Sequence, residues 1–122
     1  MSELFAFEPL YSPSSGTAGG GFQTSTTVTA TNANATATGV FAGTNNNAAR
    51  NLQIANTTTA WAYVNVGVLG SVTAATVAAS YPVGPGAVVV ITVAAEVNAA
   101  SVILGTAPGT NTAVIFTRGV GV

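Results

Sequence analysis

The sequence predicts an all-β protein, a single jelly-roll-like β-sandwich of about eight short strands with an extended N-terminal arm. Short segments that alternate in polarity or are rich in β-branched residues recur along the chain. Turn signals built on Pro-Gly and Asn separate these segments at near-regular spacing. No segment has the periodicity of a long amphipathic helix. A chain of 122 residues is expected to form one domain.

The first 21 residues differ from the remainder and predict an arm, which precedes a sandwich domain over residues 22–122. Large apolar side chains and two prolines come first, and the glycine-rich run SSGTAGGG follows. Such an arm either docks on a neighbouring subunit or folds back over its own core, and the low charge of the chain favours exchange between subunits. The residues expected at contacts with another subunit or with a larger partner are Leu4, Phe5, Phe7, Leu10 and Tyr11.

The sandwich domain opens with residues 22–41, in which small polar and apolar side chains alternate with period two. This pattern predicts one strand, or two strands broken near Asn32. The loop GTNNNAAR follows. Residues 51–56 then predict a strand that points Leu52 and Ile54 to the same side.

The next strand is predicted over residues 60–68, where Trp61 and Tyr63 share one face. Residues 72–81 predict a weaker strand that ends at Pro82. Three further strands are predicted over residues 88–93, 101–104 and 113–117.

The most apolar stretch of the chain, residues 87–107, has the length of a transmembrane helix. Glu96 lies near its middle, and the stretch is rich in β-branched residues, so two consecutive strands explain it better. The first of them, residues 88–93, has no polar face, and we expect both of its sides to be covered. The N-terminal segment lacks the pattern of a secretory signal. We therefore expect no membrane association.

Ionisable side chains are scarce, with two Lys or Arg, three Asp or Glu, and no His or Cys. A Ser or Thr nucleophile has no His or Lys to act as its base, and glutamates alone make a poor metal site. A net charge of −1 gives little means of neutralising phosphates. We expect no enzymatic activity, no cofactor, no metal site and no binding of nucleic acid.

The charged fraction is 4 %, against about 25 % in a typical soluble domain. The mean hydropathy is +0.54. Copies of such a chain have little like-charge repulsion to keep them apart. We therefore expect much of the surface to be buried in an oligomer or a larger shell.

A few residues have a functional interpretation beside a structural one. Trp61 and Tyr63 could stack on a sugar ring, although aromatic pairs at this spacing more often pack in a core or an interface. Arg50 and Arg118 are candidates for ion pairs with a glutamate of the same or a neighbouring subunit. The sequons Asn34-Ala35-Thr36 and Asn56-Thr57-Thr58 are expected by chance in a chain rich in Asn and Thr.

The second half of the chain, from about residue 50 to 122, resembles small virion proteins of tailed bacteriophages, of the capsid decoration or cement kind. The resemblance lies in three pieces, NLQIANTTTAWAYVNVG, YPVGPGAVVVITV and SVILGTAPGTNTAVIFTRGVGV. It implies a jelly-roll domain that forms homotrimers on the outside of a capsid, with the major capsid protein as partner. The expected location is the virion, after synthesis in the host cytoplasm. The alternative function is a tail or fibre module that binds a receptor or glycan through Trp61 and Tyr63.

Overall fold

A computed structural model describes residues 8–9, 25–39, 51–94 and 96–120 of the chain. These residues form two antiparallel sheets, which confirms the predicted all-β sandwich. The strands are β1 (Glu8–Pro9), β2 (Ser25–Thr29), β3 (Thr36–Gly39), β4 (Asn51–Asn56), β5 (Ala62–Gly67), β6 (Tyr81–Val83), β7 (Val88–Thr92), β8 (Ala99–Leu104) and β9 (Ala113–Val120). Within the described ranges there is no helix, and so none with the length and apolar character to cross a membrane.

Each strand belongs to one of the two sheets. In the first sheet, β9 pairs with β4 on one side and with β1 and β2 on the other, and β7 pairs with β4. The second sheet has the order β3-β8-β5-β6. The pairs β2/β9, β3/β8, β4/β7 and β5/β6 are nested within one another, which results when one long hairpin is rolled into two layers, as in jelly-roll-like sandwiches.

The core lies between the sheets and is built from alternate residues of each strand. In β4, Leu52 and Ile54 are fully buried, as the period-two pattern predicts. Phe116 of β9 is the largest fully buried side chain beside them. The second sheet contributes Val64 and Val102, which face each other across β5 and β8.

The buried amide of Asn56 connects the two layers. Its Nδ2 donates to the carbonyl oxygen of Ala60 at 2.9 Å and to those of Val83 and Gly84 at 3.0 Å each. Its Oδ1 accepts from the main-chain N–H of Thr58 at 3.0 Å and from the hydroxyl of the same residue at 2.7 Å. Because Val83 belongs to β6, this side chain at the end of β4 holds the first sheet to the second.

The predicted break near Asn32 is confirmed, since β2 ends at Thr29 and β3 begins at Thr36. The chain bends over residues 32–34 between them. The Thr31 hydroxyl donates to the carbonyl oxygen of Asn34 at 3.1 Å, a local bond of the kind that favours turns over strands. The final strand is longer than predicted and continues to Val120.

The predicted strand over residues 72–81 is wrong, because a strand begins only at Tyr81. The preceding residues form a turn in which side-chain hydroxyls replace strand partners. The Thr76 N–H donates to the Ser80 Oγ at 2.9 Å, and the Ala79 N–H donates to the Thr76 Oγ1 at 3.2 Å. Pro82 lies inside β6, where an edge strand tolerates the missing N–H.

Residues 68–80, which we call the cover segment, cross the outer side of the second sheet. The Ala75 N–H donates to the Ser101 Oγ at 2.9 Å, and the Asn65 Nδ2 donates to the Thr73 carbonyl oxygen at 2.9 Å. Ser101 points away from the core between Ala100 and Val102, yet only 1 % of it is exposed. The cover segment therefore gives this sheet a partial third layer.

The prediction that both sides of β7 are covered is wrong within the described chain. This strand lies at the edge of the first sheet, next to β4 alone. Val89 and Ile91 point inward and pack against the core. Val88 points outward and is 58 % exposed, because no second layer lies over this side of the sheet in the described residues. In this protein the run without a polar face is therefore an edge strand of the described sheet and not a central one.

The predicted arm is described only at Glu8–Pro9, whose backbone pairs with Gly119 and Val120 of β9 in the same chain. The five predicted contact residues of the arm, from Leu4 to Tyr11, lie outside the described residues. The loop GTNNNAAR also lies outside them. Exchange of the arm between subunits stays a prediction.

Candidate functional site

The first sheet presents a broad surface to solvent. Its register places Thr27, Ile115, Ala55 and Val88 in one row across β2, β9, β4 and β7, all on the side away from the core. The exposed and half-exposed residues of this and the parallel rows make up what we call the outer face. They are Thr27, Thr29, Asn51, Gln53, Ala55, Val88, Val90, Thr92, Ala113 and Ile115.

No residue of the outer face carries a charge. Among the side chains that the structure describes, Glu96 is the only charged one that is exposed, and it lies in the loop between β7 and β8. Thr117, on the same side of β9 as the outer face, is buried. The groups that this surface exposes are apolar, amide and hydroxyl groups, whose contacts depend little on salt.

Along β7, the backbone N–H and C=O groups of successive residues point alternately towards β4 and away from it. The Asn56 N–H donates to the Ala87 carbonyl oxygen at 2.9 Å, which makes these two residues a hydrogen-bonded pair. In an antiparallel ladder such pairs alternate with non-bonded ones, so the backbone groups of Val89 and Ile91 also point towards β4. The N–H and C=O groups of the alternate residues, Val88 among them, point away from β4 to the edge of the sheet, which no other described strand covers and which we call the open edge.

A second candidate site lies on the outer side of the second sheet, where Trp61 precedes β5 and Tyr63 belongs to it. Trp61 is 51 % exposed and Tyr63 is half-buried. A Cβ atom added to Gly84 would lie 3.5 Å from the Trp61 ring, and one added to Gly105 would lie 3.2 Å from the Tyr63 ring. Both rings thus lie against glycine residues, and about half of the Trp61 side chain is exposed.

Arg118 is the one cation whose side chain is described, and it does not reach solvent. It points into the sandwich at the end of β9 and is 2 % exposed. Its Nη1 donates to the carbonyl oxygen of Val97, and its Nη2 donates to that of Ala94 at 3.5 Å. The guanidinium therefore supports the loop between β7 and β8 through main-chain acceptors, a role that the predicted pairing with a glutamate did not include.

The two sequons differ in accessibility. Asn34 is exposed in the bend between β2 and β3. Asn56 is 1 % exposed, and its amide is engaged inside the sandwich. The second sequon is therefore closed to glycosylation in the folded protein.

Sequence reasoning located the aromatic pair but missed the outer face and the open edge of β7. The sequence feature that accompanies the open edge is the run of residues 88–92, which has neither a polar face nor a proline. The same run is compatible with a buried central strand, and only the strand order distinguishes the two positions.

Within the described residues, no group of three or more His, Cys, Asp or Glu side chains could hold a metal ion. The groups that the described surface exposes for binding are the neutral side chains of the outer face, the backbone of the β7 edge and the indole of Trp61. No family model, no curated protein and no solved structure matches this chain.

Proposed function

We propose that this chain is a virion structural protein that binds the outside of a capsid shell as a homo-oligomer and stabilises it, as a cement or decoration protein does. The observation that carries the proposal is the outer face, which exposes ten sheet residues without a charge. The exposed Val88 at its edge adds apolar area that a partner would cover. The resemblance of residues 50–122 to tailed-phage decoration proteins supports the same function.

The physical mechanism is that of a clamp. A shell under pressure from packaged DNA fails where neighbouring capsomers separate. A sandwich whose outer face lies across such a seam adds contact area that must be lost before separation. A stable protein interface buries about 1,600 Å² in total, and an oligomer repeats its contacts, so detachment of the whole clamp becomes rare.

The proposal predicts a major capsid protein in the genome that encodes this chain, and assembled shells of that protein provide the test. The purified chain is added, and its cosedimentation with the shells and their rupture temperature are measured. We expect saturable binding and a higher rupture temperature. Absence of binding at micromolar concentrations contradicts the proposed function.

A pair of matched variants localises the binding surface. Thr27→Lys adds a charge to the outer face on strand β2, where desolvating an ammonium group opposes docking. Thr73→Lys adds the same charge on the cover segment, on the opposite side of the sandwich. We expect the first variant to lose shell binding at least about ten-fold and the second to bind like the original chain. Equal loss in both variants contradicts docking through the outer face.

The arm has a separate test. Deletion of residues 1–21 is expected to leave a folded sandwich, because the core residues belong to β2 and the strands that follow it. Oligomerisation or shell binding should weaken, because Leu4, Phe5, Phe7, Leu10 and Tyr11 are removed. An unchanged oligomer together with unchanged occupancy on shells contradicts the role proposed for the arm.

The second candidate function is a tail or fibre module that binds a glycan, and the half-exposed indole of Trp61 favours it. Glycan-array binding that Trp61→Ala abolishes would support this function. Tyr81→Ala is the matched control, since Tyr81 is an aromatic residue of similar exposure on the edge strand β6. Binding that both variants lose equally, or that neither loses, speaks against a stacking site at Trp61.

A further inference from the structure

We propose that two copies of this chain pair through the open edges of β7, in an antiparallel register centred on Val90. The first sheets of the two copies then form one continuous sheet. This inference deepens the self-association within the proposed function, on which its biological setting rests.

The backbone of β7 is complementary to a second copy of itself. Val88, Val90 and Thr92 alternate with the residues that bond to β4, so their N–H and C=O groups point to the open edge. An antiparallel copy centred on Val90 places Val90 opposite Val90, Val88 opposite Thr92 and Thr92 opposite Val88. Each of these three pairs exchanges two hydrogen bonds, so every outward backbone group of the strand finds a partner. A shift by two residues loses at least one pair, and a shift by one residue aligns outward groups with inward ones.

The side chains agree with this register. Val89 and Ile91 pack on the core from the edge and are only partly buried in one copy. In the paired arrangement Val89 lies opposite Ile91 of the second copy and Ile91 lies opposite its Val89, which joins the two cores. On the opposite side, the outer faces of the two copies become neighbours, because paired residues in a sheet point to the same side.

The strand lacks the features by which proteins protect an edge. Natural edge strands carry a charge, a proline or a bulge, or they are very short. β7 has five residues, VVVIT, with none of these. The edge strand of the second sheet, β6, has three residues and contains Pro82. β3, at the other end of that sheet, ends in Gly39, which is unfavourable in a strand.

The self-complementary register and the absence of charge favour a second copy as the occupant, and the small area sets the affinity. No ionisable side chain lies on β7 or on the outer face beside it, so two copies meet there without repulsion. A five-residue seam is short beside the roughly 1,000 Å² that a stable interface needs. We therefore expect a dimer with a micromolar dissociation constant, which the higher local concentration on a shell would populate. A two-fold pair gives a dimer or a multiple of it, in contrast to the trimer that the resemblance implies.

The test is sedimentation velocity of the full chain over a concentration series, with substitutions at Val90. Val90→Pro removes the outward N–H without touching the bonds to β4, and it takes away one donor from each copy. Val90→Lys places two ammonium groups side by side at the two-fold axis. We expect the dissociation constant to rise about 30-fold in the proline variant and at least ten-fold in the lysine variant.

Two controls and an exchange measurement complete the design. Val90→Thr keeps the shape and the N–H, and Thr27→Lys adds a charge on the outer face three strands from the seam, so both should dimerise like the original chain. Amide exchange of Val88, Val90 and Thr92 should slow with rising concentration. The proposal is overturned by a chain that stays monomeric, by a trimer, or by a dimer indifferent to both Val90 substitutions. Failure of shell binding with an intact Val90-dependent dimer refutes the proposed function alone.

Discussion

At the scale of single residues, Asn56 shows how a chain with few charges holds its layers together. The core of the sandwich is apolar, and apolar contacts alone are not directional. The amide of Asn56 supplies direction, because it donates to three main-chain oxygens and accepts two hydrogen bonds from Thr58. A neutral amide does this without the desolvation cost of a buried charge.

Asn56→Ala is therefore expected to destabilise the fold by about 3 kcal/mol, because the buried Thr58 N–H loses an acceptor and the three main-chain oxygens lose a donor. The urea midpoint of unfolding measures the change. Asn34→Ala is the matched control, since Asn34 is exposed and the hydrogen bond from Thr31 goes to its main-chain oxygen, which the substitution keeps. The control should lie within about 0.5 kcal/mol of the original chain. Similar losses in both variants would argue against Asn56 as the link between the sheets.

At the scale of elements, the cover segment is held to the second sheet by few contacts. The bond from the Ala75 N–H to the Ser101 Oγ is the one that reaches the middle of β8. Ser101→Ala removes this acceptor and should weaken local closure by about 1 kcal/mol, which speeds exchange of the Ala75 amide about five-fold. Ser71→Ala is the control, because its hydroxyl makes only a long, exposed bond to the Val68 carbonyl oxygen, at 3.4 Å. Unchanged exchange at Ala75 would show that packing alone holds the segment.

The same segment shows what local pattern could and could not predict. In strand β4 the common direction of Leu52 and Ile54 was predictable, because the alternation matches one buried and one half-buried side. The burial of the polar Asn56 on the same side was not predicted. Residues 72–80 have strand-forming composition, yet the hydroxyls of Thr76 and Ser80 close a turn there. The edge position of β7 was not predictable, because residues far apart in sequence decide which strands lie beside it.

At the scale of the whole molecule, charge is almost absent from the described surface and the neutral area is concentrated. The outer face and the β7 edge are adjacent, so one side of the sandwich carries both proposed contacts. The cover segment occupies the opposite side. This asymmetry allows self-association at the edge while the outer face remains available to a shell.

The distribution predicts an association that hardly responds to salt. Ion pairs at a surface weaken when the Debye length falls from about 14 Å to about 3 Å, whereas backbone hydrogen bonds and apolar contacts do not. We expect the dissociation constants for self-association and for shell binding to change less than about three-fold between about 50 mM and 1 M NaCl. Sedimentation velocity and cosedimentation at both salt concentrations measure this change. A steep loss of binding by the original chain at high salt would mean that charges outside the described residues, such as Arg50, make the contacts instead.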